Sequence, residues 1–162
     1  MTDVKSRIPI LSDERGKGLD RELRRCYNGN IRYNIQTISK PAAHLEGVVE
    51  DIVALTSNFT LNDYVIIIAG TNNFREKRYP SVKFIYNRLK SINTNIIFTT
   101  APRNAMDYNV KQCVNNFNNI PKINKYLQGK VAMVNILENR GELVSKNIIC
   151  KKIIAEMEKV KI

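Results

Sequence analysis

No stretch of this chain approaches the ~18 uninterrupted apolar residues that a membrane-spanning helix needs. Its first residues, MTDVKSRIPIL, hold no apolar run long enough for a secretory h-region. These absences make the cytoplasm, or the nucleus, the expected compartment, with no secretion and no membrane partner. Cysteine is scarce: Cys26, Cys113 and Cys150 are an odd number, far apart, with no CxxC spacing. That pattern excludes a disulfide framework and a zinc module, and it predicts reduced, buried thiols. The sequence GxxxxGKS/T is missing, which excludes a P-loop, and Gly16-x-Gly18 is only half of a dinucleotide fingerprint. Internal repeats, linkers and low-complexity tracts are also missing, so residues 1–162 read as a single domain. No cofactor and no metal is expected.

Acidic residues are outnumbered. Lysine and arginine total 26 against 15 acids, which gives a net charge of +11 and a pI near 9.7. Hydrophobic residues at 43% and charged residues at 25% are the composition of a globular domain. A positive excess of this size favours a polyanionic partner, nucleic acid first.

Five apolar runs predict strands: Arg7–Leu11, Ile31–Ser39, Tyr64–Ala69, Asn95–Thr100 and Lys130–Leu137. The second alternates apolar with polar, as a less buried strand does. The third is continuously apolar and bounded by Gly70, the pattern of a central parallel strand. Helical stripes lie between them: Leu19, Leu23 and Cys26; Leu45, Val48, Val49, Ile52 and Val53; Val82, Ile85, Leu89 and Ile92; Ile149, Ile153, Met157 and Val160. A less regular helix about Asn109 to Leu127 is interrupted by Pro121. Repeated strand–helix alternation predicts an α/β fold, a five-stranded parallel sheet with helices on both faces.

In such folds ligands gather at the carboxyl ends of the strands, where strand order reverses. The loops there read SDERGKG, KPAAH, GTNNFREKRYP, APRNAMD and ENRGE. Their order and spacing resemble the SGNH hydrolases, esterases and lipases on a flavodoxin-like three-layer fold. Ser12-Asp13-Glu14 looks like the family's GDS block, and Gly70-Thr71-Asn72-Asn73 looks like its GxND block. The resemblance implies that the family's nucleophilic serine falls on Glu14, its oxyanion glycine near Ala42, its asparagine on Asn72, and its histidine near Leu143. Of these marker residues only Asn72 is retained. A serine hydroxyl without a base is a poor nucleophile, so the expectation is a catalytically inactive domain. The only histidine, His44, reads as a helix-start residue, and Ser12, ending a strand, reads as a turn former.

All five strand-end loops carry cations: Arg15 and Lys17, Lys40, Arg75, Lys77 and Arg78, Arg103, and Arg140. A parallel sheet ends its strands on one face, so these charges should converge into a basic crown. Helix starts on that face add N–H donors suited to phosphate, and Phe74 and Tyr79 offer rings for stacking on unpaired bases. The expected function is binding of nucleic acid, single-stranded RNA first. Degenerate domains of this kind include the OSK domain of Oskar and the esterase-like domains of non-LTR retroelement proteins, whose wording is similar to KPAAHLEGVVEDI and IIIAGTNN. The alternatives are a residual esterase using Ser12, and a protein-interaction scaffold or homodimer in which basicity only confers solubility.

Overall fold

The computed structural model describes residues 5–27, 33–76, 78, 82–99, 131–134 and 145–160. Five strands are present: β1 (Ser6–Ser12), β2 (Tyr33–Ser39), β3 (Tyr64–Ile68), β4 (Asn95–Thr99) and β5 (Val131–Val134). They form one wholly parallel sheet in the order β2-β1-β3-β4-β5. The helices are α1 (Leu19–Cys26), α2 (Leu45–Val48), α3 (Ile52–Leu55), α4 (Thr71–Arg75), α5 (Val82–Leu89) and α6 (Lys146–Val160). The expected three-layer α/β architecture is therefore present. The helix about Asn109 to Leu127, with its break at Pro121, lies outside the described residues.

Period-two alternation distributes each strand between two cores. Leu11, Val65, Ile67, Ile96 and Phe98 face one layer with Leu45, Val49, Ile52, Ile85 and Leu89. Ile8, Ile10, Ile35, Ile66, Ile68 and Ile97 face the other with Leu19, Leu23, Ile149, Ile153 and Met157. Each isoleucine buried this fully contributes roughly 1.5–3 kcal/mol relative to exposure. β3 is buried along its whole length, while β2 alternates buried Tyr33 and Ile35 with exposed Asn34 and Gln36, as its edge position requires.

Two local features follow from chemistry rather than pattern. Pro9 sits in an interior strand, where a missing N–H normally breaks a ladder. Backbone groups alternate between neighbours, so Arg7 and Pro9 point to the β3 side, where strand pairing begins only at Ile10. Ahead of that point Asp63 substitutes for the ladder, accepting the Arg7 N–H at 2.8 Å and an Arg7 guanidinium N–H at 3.0 Å. The same guanidinium lies 4.3 Å over the Phe59 ring. Burial works against the Asp63 charge, but the Arg7 side chain and the Arg7 and Thr60 N–H groups outweigh it and hold the carboxyl below its usual value.

Val53, expected in a continuous apolar stripe, is 40% exposed. The stripe is carried by two short helices, and the turn at Val49–Asp51 rotates α3 so that Ile52 packs inward and Val53 outward. Among the described residues no helix is long and apolar enough to cross a membrane.

Candidate functional site

Strand order reverses between β1 and β3, because the chain passes from β1 outward to β2 and then returns to the other side. Ser12 pairs with both Ser39 and Ile68, so the three strands end level. The Lys40 N–H donates to Ser12 O at 2.9 Å and the Asp13 N–H to Ile68 O at 3.0 Å, which ties the three emerging loops together.

A tight 3₁₀ turn, Glu14–Gly16, follows β1. Asp13 caps it, its carboxylate accepting the Arg15 N–H at 3.0 Å. The same carboxylate takes Arg15 Nε at 3.2 and 3.3 Å. Arg15 is thereby turned inward, its side chain only 9% exposed. Its two terminal amino groups are buried without a partner among the described residues. Arg15 is thus no outward cation of the crown; a fully buried Asp13 two positions earlier draws it in.

Ser12 is also fully buried. Its Oγ donates to Asp13 O at 2.8 Å, and Gly16 packs so closely that a Cβ there would lie 2.2 Å from that Oγ. The hydroxyl therefore faces protein, a turn-forming arrangement.

Glu14 carries the central geometry. Its Oε2 accepts the Ala42 N–H at 2.8 Å and the Asn72 amide Nδ2–H at 3.0 Å. The carboxylate takes its own backbone N–H as well. One anionic oxygen held by converging N–H donors is the arrangement that stabilises an oxyanion in acyl transfer. The donors come from the three positions that the resemblance assigned to nucleophile, oxyanion glycine and asparagine. Burial raises the pKa, but the Glu14 N–H, the Asn72 amide, the Ala42 N–H and the Arg75 charge together lower it below the ordinary value.

The donors are themselves held firmly. Ala42 has φ of +62°, a left-handed conformation that costs a residue with a Cβ about 1–2 kcal/mol; it turns the Ala42 N–H toward Glu14. Asn72 is buried and donates a second bond to Ala43 O at 3.0 Å. Gly70, with φ of +114°, makes the turn between β3 and α4 that delivers Asn72. Asn73 then clamps the two loops: its Oδ1 accepts the Leu45 N–H at 2.7 Å, and its Nδ2 donates to Glu46 and to Arg78 O at 3.0 Å each.

His44 begins α2 without a side-chain cap bond, and its Nε2 contacts the Glu76 carboxylate. With Ala43, Glu46, Gly47, Asn73 and Arg78 it lines an open groove of about 470 Å³. Sequence reasoning missed Asn73 as a clamp and Glu76 as the histidine's partner, because both contacts join residues about thirty positions apart. Of the crown, Lys17, Arg75 and Arg78 are exposed. Lys40 is half-buried, its Nζ 3.0 Å from Gly47 O and 3.5 Å from Asp51. Lys77, Arg103, Arg140 and Leu143, and the rings of Phe74 and Tyr79, lie outside the described residues. Among the described residues no group of three or more histidine, cysteine, aspartate or glutamate side chains is placed to hold a metal.

No protein-family model matches the sequence, and no curated protein is found similar to it. Solved structures are similar. One is the psychrotrophic esterase EstA from Pseudoalteromonas sp., in a structure inhibited by monoethylphosphonate. It aligns with a TM-score of 0.56 and 16% identity over 96% of this chain and 98% of that one. Another is the esterase AlinE4, in a serine-to-alanine mutant form, with a TM-score of 0.53 and 15% identity over 81% and 77% of the respective chains. The fold is accordingly shared with these esterases.

Proposed function

We propose that this chain is a catalytically silent SGNH-type domain whose strand-end face binds single-stranded RNA. The observation that carries the first half is the seat of Glu14 Oε2 on Ala42 and Asn72. A serine at this position would expose a nucleophile and leave the donors free for substrate. Glutamate is longer, and its carboxylate fills the place where an ester oxygen would develop charge. The Ser12 hydroxyl is buried against Gly16, and His44 is engaged by Glu76. An oxyanion hole filled by a fixed carboxylate offers nothing to a transition state.

The binding half is supported by the net charge of +11 and by exposed Lys17, Arg75 and Arg78 around that seat. The likeness of KPAAHLEGVVEDI and IIIAGTNN to the retroelement domains, and of the architecture to the OSK domain, supports RNA as the polyanion. Glu14 repels phosphate from the former catalytic centre, so the backbone tracks the Arg75–Arg78 side of the face. The test is fluorescence anisotropy with an unstructured RNA oligonucleotide over a salt series. Changing Arg75, Lys77 and Arg78 together to Ala removes up to three phosphate contacts. The slope of log affinity against log salt then falls by about 2, at ~0.7 per single-strand contact. An unchanged affinity and slope overturn the proposal.

A further inference from the structure

A second groove, of about 350 Å³, opens where α1 meets α6, lined by Arg25, Cys26, Asn147, Lys151 and Ile154. Cys26 lines it, and Cys150 adjoins Asn147 and Lys151 along α6. Cys26 is partly exposed, which departs from the expectation of buried thiols, and Cys150 is fully buried. The helices are held face to face at this point. Asn147 Nδ2 donates to Glu22 Oε1 at 3.2 Å and lies 3.8 Å from Cys26 Sγ, and the Cys150 thiol donates to Leu19 O at 3.9 Å. Asn147, Cys150, Lys151 and Ile154 fall at helical spacing on the side of α6 that Cys26 meets through Asn147.

We propose that Cys26 and Cys150 form a two-thiol exchange site that reacts with a small anionic disulfide of the glutathione type. Arg25 and Lys151 on the groove wall match the carboxylates of such a molecule, and Cys26 is the sulfur within its reach. The Cys26 thiolate attacks one sulfur of the incoming disulfide. That S–S bond breaks, one small thiol leaves with a proton, and a mixed disulfide remains on Cys26. Cys150 then loses its proton and attacks the Cys26 sulfur. The second small thiol departs, and a Cys26–Cys150 disulfide is left. Two protein thiols are oxidised and one small disulfide is reduced to two thiols. Burial first, then the neighbouring thiol and Glu22, push the Cys150 thiol up to about 12, so Cys150 is not the first nucleophile.

The test uses the whole chain carrying Cys113→Ser, exposed to oxidised glutathione and read by peptide mass spectrometry without reduction. The expected product is a cross-link between the Cys26 and Cys150 peptides, with the mass loss of two hydrogens. In Cys150→Ser, and equally in Cys150→Ala, a glutathione adduct should persist on Cys26; in Cys26→Ser, Cys150 should remain a free thiol. In the reduced protein Cys26 should alkylate at least ~10-fold faster than Cys150. Absence of the cross-link, an adduct on Cys150 in Cys26→Ser, or products joining only separate molecules overturns the proposal.

Discussion

Replacing Glu14 by Gln isolates the charge of the carboxylate from its shape. Both strong contacts fall on one oxygen, Oε2, at 2.8 Å from Ala42 N and 3.0 Å from Asn72 Nδ2. A glutamine amide oxygen occupies the same place and accepts the Ala42 and Asn72 donors, while the carboxylate's bond from its own backbone N–H is weakened. The loss is the difference between charged and neutral acceptors, about 1 kcal/mol per bond. Glu14 is half-exposed, which scales the sum to about 1–2 kcal/mol at neutral pH. With a urea slope of ~2 kcal/mol per molar, the unfolding midpoint falls by roughly 0.5–1 M. The pH dependence has a definite sign. The folded carboxyl titrates below its ordinary 4.5, so its stabilisation is fully present above that value. It is lost as pH falls through the folded pKa. Urea titrations of both proteins at stepped pH should show a gap at neutrality that narrows only below about 4.5. Every other carboxylate is common to the pair and cancels. Equal midpoints at pH 7, or a gap that ignores pH, would refute the seating of Glu14.

Two further predictions concern the scaffold of the site. Gly16→Ala places a Cβ 2.2 Å from Ser12 Oγ and 2.4 Å from Ser12 Cβ, and should destabilise the fold by about 2–3 kcal/mol; Ser12→Gly in the same chain should recover part of that loss, whereas Ser12→Ala should recover little, both measured by thermal unfolding. Asp63→Asn should cost about 3 kcal/mol in urea unfolding, because an amide keeps one acceptor oxygen where the carboxylate uses two, Oδ1 for the Arg7 N–H and Oδ2 for the Arg7 guanidinium and the Thr60 N–H. Its effect should fade as pH falls below 3.8, since the folded carboxyl lies below that value.

Much of the architecture is legible in the order of the residues. The apolar run Tyr64–Ala69 has no polar face to give to solvent, so it must lie between two layers; the alternation of Tyr33–Ser39 has one, so it lies at an edge. Val53 was misplaced because helical periodicity assumes an unbroken helix, and a turn at Val49–Asp51 resets the phase. Charge and a strand-end loop position put Arg15 in the basic crown, yet a buried carboxylate two residues away makes an inward guanidinium the more favourable arrangement. The degenerate site was legible only through alignment of short blocks, which put Glu14 at the nucleophile position. That its carboxylate reaches Ala42 and Asn72 depends on loop closure across 28 and 58 residues, which no local pattern records.

The most direct test of the central claim is turnover of a short-chain nitrophenyl ester by the unaltered protein. With Glu14 filling the oxyanion donors and Ser12 sealed beneath Gly16, hydrolysis should not exceed the buffer rate, and Ser12→Ala and His44→Ala should give the same trace. Turnover above buffer that disappears in either variant would contradict the reading of this site as a filled and silent one.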